Sequence, residues 1–339
     1  MTLGWTDLPT PVRSAITDRC GTVAGVGYPG SGKPAHLTAT LHTPDGTVFC
    51  EGAHHTSPRY RDVQHAVLVS GQLPSCAPTL HWTVAVDGWL VVGQEHIPGQ
   101  HANLSPGSAD LPAVVKTVTT MARQCSLAIP PLDEHWSRLS AWRRLQHAGL
   151  AGAATDHYLE WEDRAVEAVG GNYLLHTALD SRNILVDEQV RVVGWTQARR
   201  GAAWVDRAFL ALNLIAAGHR PAEAEGLVGP LPSDSTTAFT VAILGISTYL
   251  EHTDPLPHRV ALTDAAQAWV NSRLASPSVP EADRHCYPHR DTGFRRANPT
   301  ELVSLRAHPL SVVPETNRSD AGTPSWLGAT IPPLEGGIV

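Results

Sequence analysis

The sequence predicts an α+β fold with two portions: a small, mostly antiparallel sheet carrying one helix, then a larger and mainly helical portion. Three observations carry that expectation. Two stretches alternate apolar and polar residues on either side of an Asp-Gly pair, at Asp45-Gly46 and at Asp87-Gly88, as a hairpin with a tight turn requires. After Pro98-Gly99 the apolar spacing lengthens from two residues to that of a helix. Within the helical portion, the segment "GNYLLHTALDSRNILVDEQVRVVGW" (171–195) reads as strand, short loop and hairpin.

Taken in order, "GVGYPGSGKP" (25–34) is a flexible glycine-rich segment, and "AHLTATLHTPDGTVFCEG" (35–52) is the first hairpin. "PRYRDVQHAVLVSGQL" (58–73) follows as a short helix, and "APTLHWTVAVDGWLVVGQEHI" (77–97) supplies two more strands. Helical spacing recurs over 111–125 and 134–148, and over 156–169, which opens on an Asp cap. Beyond the strand-loop-hairpin, "WVDRAFLALNLIAAG" (204–218) is a helix with a Gly stop, and further helices are expected near 221–227, 234–252 and 263–274. From 276 onward the chain is rich in Pro, His and charge with little periodicity, an arm or tail. The divisions are therefore a sheet-bearing region over 1–97, a helical region over 98–275 and the tail over 276–339. No internal repeat is visible.

Composition narrows the function. A formal net charge of −7 gives no pull toward nucleic acid or an anionic membrane. The five cysteines are an odd number with no CxxC pair, so neither a disulfide framework nor a zinc knuckle is indicated. The eighteen histidines are scattered without an HxxxH or HxH pair, and no metal site is assigned. The first residues lack a basic start followed by an apolar run, and no apolar run approaches a membrane span. A cytoplasmic protein of a reducing compartment is expected, with no nucleic-acid or membrane partner. "GYPGSGK" (27–33) suggests a P-loop, but Pro34 stands where the motif needs Ser or Thr.

A sheet with one helix, a linker, and a helical region with an inserted HxxxxxxN loop is the layout of the protein-kinase fold. The chain resembles the aminoglycoside phosphotransferase family, particularly actinobacterial members, from about Leu37 to about Leu274. The stretches "ATLHTPDGTVF", "DGWLVVGQEHIPGQHANLSPGSADLPAV" and "RRGAAWVDRAFLALNLIAAGHRPAEAE" carry the likeness. The resemblance implies a bilobal protein-kinase-like fold, with residues 1–97 as N-lobe and 98–275 as C-lobe.

The same resemblance implies that the phosphate-transfer machinery is degenerate. Where the family reads "VFVKG", with a Lys on the nucleotide's phosphates, this chain reads "VFCEG" and presents Glu51. A carboxylate 4 Å from a phosphate charge is repelled by about 4 kcal/mol at an effective dielectric near 20. The Glu that pairs with that Lys corresponds to Gln64 or His65. The catalytic loop, "HGDLHPGN" in the family, is "HTALDSRN" here: Ala178 replaces the base, and Asn183 keeps its place as a metal ligand. Gly194 replaces the metal-binding Asp of "VDW". His176 and Asp206 match the residues that brace the loop.

The residues singled out are accordingly Asp180, as a displaced base, with His176 and Glu51 as the other acid-base groups of the cleft. Asn183, Gly30, Gly32 and Glu95 are candidates for contact with a nucleotide: the loop Asn, the glycine-rich cover and the interlobe linker (93–96). No cofactor is expected, although weak binding of ATP and Mg²⁺ stays open. Cys50 is weighed as a nucleophile and the pair Arg199-Arg200 as an anion site; a buried strand cysteine and a solvated pair are the blander readings. Three functions follow. The first is a pseudokinase of specialised metabolism whose cleft binds a small molecule or peptide, or which binds a partner protein. The second is an enzyme reusing the cleft for cyclisation, elimination or hydrolysis, and the third is a residual phosphotransferase.

Overall fold

A computed structural model describes residues 3–28, 36–150, 155–254 and 256–275. Gly30, Gly32 and the tail lie outside them. The first helix, α1 (Thr10–Cys20), is followed by β1 (Gly25–Gly27), β2 (Leu37–Thr43), β3 (Gly46–His54), α2 (Tyr60–Val69), β4 (Leu80–Val86) and β5 (Trp89–Glu95). These strands form one antiparallel sheet in the order β1-β2-β3-β5-β4, so both expected hairpins form and share a sheet.

Strand alternation divides the sheet's two faces. Leu37, Ala39, Leu41, Cys50, Val84 and Val91 point outward and pack with Val12 and Ile16 of α1 in one apolar cluster. Thr38, Thr40, Phe49, Glu51, Leu80 and Gln94 point inward and wall a cleft. Gly93 sits beneath the indole of Trp82, where any Cβ would collide with the ring, and the ladder shifts register beside it between Leu80 and Trp82. The helix α1 is absent from the sequence reading. Its outward turns are polar, and its apolar residues Val12, Ile16 and Cys20 form a narrow stripe four residues apart.

The rest of the chain builds the helical lobe. It comprises β6 (Gln100–His101), α3 (Leu111–Thr120), β7 (Arg123–Gln124), α4 (Leu132–Leu139), α5 (Ala141–His147) and α6 (Thr155–Ala168). There follow β8 (Tyr173–Leu175), β9 (Ile184–Val186), β10 (Val190–Val192), β11 (Arg199–Gly201), α7 (Val205–Ala216), α8 (Pro221–Val228), α9 (Ser233–Thr253) and α10 (Pro257–Ala275). The single helix expected over 134–148 is two, because Ser140 takes a left-handed backbone (φ 39°) and breaks it. The helix expected over 111–125 stops at Thr120, and β7 begins soon after. Phe209 and Phe239 lie at the centre of the large core, with Trp136, Trp204 and Trp269 packed on the Phe239 ring. Among the described residues, no helix is long and apolar enough to cross a membrane.

Candidate functional site in the interlobe cleft

The cleft between the sheet and the helical lobe has a volume of about 620 Å³. It is walled above by the inward sheet face and α2, and below by Asn183, Leu185 and the turn from Val193 to Gln197. That volume suits a small organic molecule.

Its floor is the inserted loop, held from beneath by α7. Asp206 accepts the backbone N–H groups of His176 (2.8 Å) and Thr177 (3.0 Å), and Asn213 donates to the carbonyls of Leu179 (2.7 Å) and Phe209 (2.9 Å). His176 is fully buried. Its Nδ1 accepts the Ala178 N–H (3.2 Å), so Nε2 carries the proton donated to Val193 O (2.8 Å), and its ring meets Trp195 edge-on at 4.8 Å. Burial lowers its pKa to about 4, while burial raises that of Asp206 to about 6 despite the two N–H groups on it. Both nitrogens of His176 are thus engaged by backbone, and the ring is a strut of the loop. Thr177 holds φ 64°, an uncommon conformation for a β-branched residue, with its hydroxyl on Gln197 O (2.9 Å).

The sequence candidates are not assembled into one centre. Asp180 does not line the cleft: it is buried, caps the short turn Ser181–Asn183 by accepting the Arg182 N–H (2.9 Å), and receives the Arg182 guanidinium at 2.6 Å. Asn183 does line it, but its amide donates to Ala178 O (2.7 Å), and a Cβ on Gly194 would sit 2.8 Å from its Oδ1. Gly194 itself has φ 82°, a conformation glycine adopts without strain. The buried Ala178 presents nothing to a substrate. Glu51 projects from β3 into the cleft, with His36 Nε2 at 3.8 Å. Glu95 closes β5, and its carboxylate receives Arg191 at 2.9 and 2.6 Å and the Thr79 N–H at 3.1 Å. Arg191 foremost keeps Glu95 ionised and its pKa low.

Other groups come from the structure alone. On α2 it is Asp62, Val63 and Ala66 that face the cleft, rather than Gln64 or His65. His65 donates instead to Ala198 O at 2.8 Å. Among the described residues, Arg59 and Arg182 are the arginines that line the cleft, and each is paired with a carboxylate, Asp62 (2.9 Å) or Asp180. The sequence signal for Arg59 and Asp62 was their spacing of three at a helix start, easily read as a solvated pair. Cys50 is fully buried in the outer apolar cluster, and burial drives its thiol pKa far up, so it is packing. The chain has two lysines, Lys116 on α3 and Lys33, which lies outside the described residues. Among the described residues, no three His, Cys, Asp or Glu side chains are grouped to hold a metal ion.

No family model matches the chain, and no curated protein does. Solved structures do. An aminoglycoside phosphotransferase APH(4)-Ia mutant, in a ternary complex with AMP-PNP and hygromycin B, superposes with TM-score 0.50 at 13% identity, over 77% of this chain and 99% of that one. A protein assigned as fructosamine-3-kinase from Thermobifida fusca YX-ER1 gives 0.50 at 16% identity, covering 76% and 98%. Another, assigned as an aminoglycoside phosphotransferase from Ralstonia eutropha JMP134, gives 0.51 at 12%, covering 80% and 99%. At such identities the likeness is one of architecture: this chain has the kinase-like fold that the aminoglycoside phosphotransferases also have.

Proposed function

We propose that the chain is a kinase-like protein that does not transfer phosphate, and that its interlobe cleft binds a small, largely uncharged organic molecule or a short peptide segment. A single observation carries the reading. At the positions that the family resemblance matches to the phosphate anchor, the base and the metal ligands, this chain has Glu51, the buried Ala178, and an Asn183 side chain packed against Gly194. Hard cations need carboxylate oxygens, and phosphates need cations that are free to meet them. Among the described residues, the cleft lining does not fit Mg·ATP: its two arginines already face carboxylates. A setting in specialised metabolism rests on the actinobacterial character of the sequence alone.

Calorimetric titration of the purified protein with ATP, with and without Mg²⁺, tests this. No saturable heat is expected up to millimolar nucleotide; metal-dependent saturation would return the chain to the phosphotransferases.

A second reading, non-phosphoryl catalysis, is favoured by Glu51 and His36. His36 is buried with Nδ1 lacking a hydrogen-bond partner among the described residues, and its Nε2 faces Glu51. A proton relay from the cleft through this pair would make Glu51→Gln inactive in nucleotide-free turnover, whereas for a binding protein the same variant alters affinity only.

A further inference from the structure

Away from the cleft, β11 lies against α4. The backbone N–H of Arg200 donates to Pro130 O (3.3 Å), and Arg200 bridges Pro131 at the helix start. Adjacent residues of a strand point to opposite faces, so Arg199 and Arg200 project apart. Arg199 shares its face with Gly201, whose position is packed on Leu132 of α4. His135 and Arg138, three residues apart on α4, are neighbours along one side of that helix.

This arrangement is short of negative charge. The Nε of Arg199 and the Nε2 of His135 are buried and have no hydrogen-bond partner among the described residues. Arg199 makes no ion pair among those residues either. Of the two carboxylates on α4, Glu134 pairs at the rim with Arg138 (3.4 Å), where both side chains are mostly exposed. Asp133 Oδ1 accepts the Glu134 N–H. Burial and then Arg138 lower the pKa of Arg199 to about 10, and burial, Arg199 and Arg138 lower that of His135 to about 3. A guanidinium whose Nε is out of solvent normally has an anionic or carbonyl partner, because a desolvated donor left unpaired is unfavourable.

We infer that Arg199, His135 and Arg138 form a binding site for a small oxyanion of the phosphate or carboxylate class, distinct from the interlobe cleft. Arg199, half-buried with its Nε out of solvent, supplies the charge and a forked donor, neutral His135 a second donor through Nε2, and Arg138 the outer wall. Arg200, on the opposite face, is not a member of the site.

The test is thermal unfolding of the full chain titrated with sodium phosphate, sodium acetate, and sodium chloride at matched ionic strength. Phosphate, acetate or both should raise Tm saturably above the chloride baseline, and which of them does so identifies the class. Arg199→Met should abolish that rise. In anion-free buffer the same variant should melt no lower than the parent, since it removes a half-buried charge whose Nε has no partner among the described residues. A structural role for Arg199 moves Tm the other way and leaves the anion response intact. If Arg199→Met does not fold, His135→Phe replaces it and should weaken the anion response at least several-fold. Equal shifts with phosphate, acetate and chloride, or an unchanged response in the variants, would overturn the site.

Discussion

The inserted loop has two sides, and they differ. Its underside is fully built: Asp206 and Asn213 meet four backbone groups, His176 is satisfied at both nitrogens, and a strained Thr177 is held in place. Its upper side, toward the cleft, presents alanine, glycine and an amide already engaged by backbone. The underside determines whether the protein folds, because buried polar groups left unpaired cost several kcal/mol. The upper side bears on what the cleft can bind, and a change there should cost the fold less than one beneath the loop. Fold and chemistry are thus separable within a loop of a few residues.

The comparison can be broken most forcefully at Asp206. Asp206→Ala leaves the N–H groups of His176 and Thr177 buried without acceptors and should destabilise the protein by about 3–5 kcal/mol, read by urea denaturation. A loss under about 1 kcal/mol would mean that the underside is not what holds the loop.

Gly194→Asp probes the upper side. The new Cβ meets Asn183 Oδ1 in a left-handed backbone, so a loss of about 1–3 kcal/mol is expected, with no gain of Mg²⁺-dependent ATP binding. Recovery of such binding would show that the upper side differs from a metal site by one residue only.

Acid sharpens the comparison. His176, neutral in the fold with its pKa lowered from 6.5 to about 4, contributes stability present above pH 6.5 and lost as the pH falls toward 4, because the unfolded chain binds the proton first. Asp206 works oppositely: its pKa is raised from 3.8 to about 6, so the fold binds the proton first and gains stability over that range. The two nearly cancel. His135, lowered to about 3, has no such opponent, and its stability is lost from pH 6.5 downward. The decline in Tm between pH 6.5 and 4 should therefore flatten in His135→Gln and stay almost unchanged in Asn183→Ala.

Much of the architecture was legible because it is written in local patterns. Asp45-Gly46 and Asp87-Gly88 fix two hairpins, and period-two alternation tells which strand residues face the cleft. Helix α1 was not legible, since its stripe of Val12, Ile16 and Cys20 is too narrow to stand out. The bracing role of His176 and Asp206 was implied by the family resemblance alone. The occupation of Asp180 by Arg182 could not, for neither a short-range cap nor an ion pair is distinguishable in sequence from a free loop carboxylate. The pairs between distant residues, His36 with Glu51 and Arg191 with Glu95, depend on three-dimensional register that no local pattern encodes.

The Arg191–Glu95 contact has one more consequence. Arg191 on β10 also donates to the carbonyls of Cys76 (3.3 Å) and Ala77 (2.9 Å), and the Val192 N–H donates to Cys76 O (2.8 Å). The end of β5 and the chain leading into β4 are thus both tied to the helical lobe through β10. A cleft pinned in this way has little conformational freedom left to lose when a guest arrives. Its ligand should bind as to a rigid receptor, with a modest entropic penalty and an association rate set by diffusion and entry into the cleft rather than by closure.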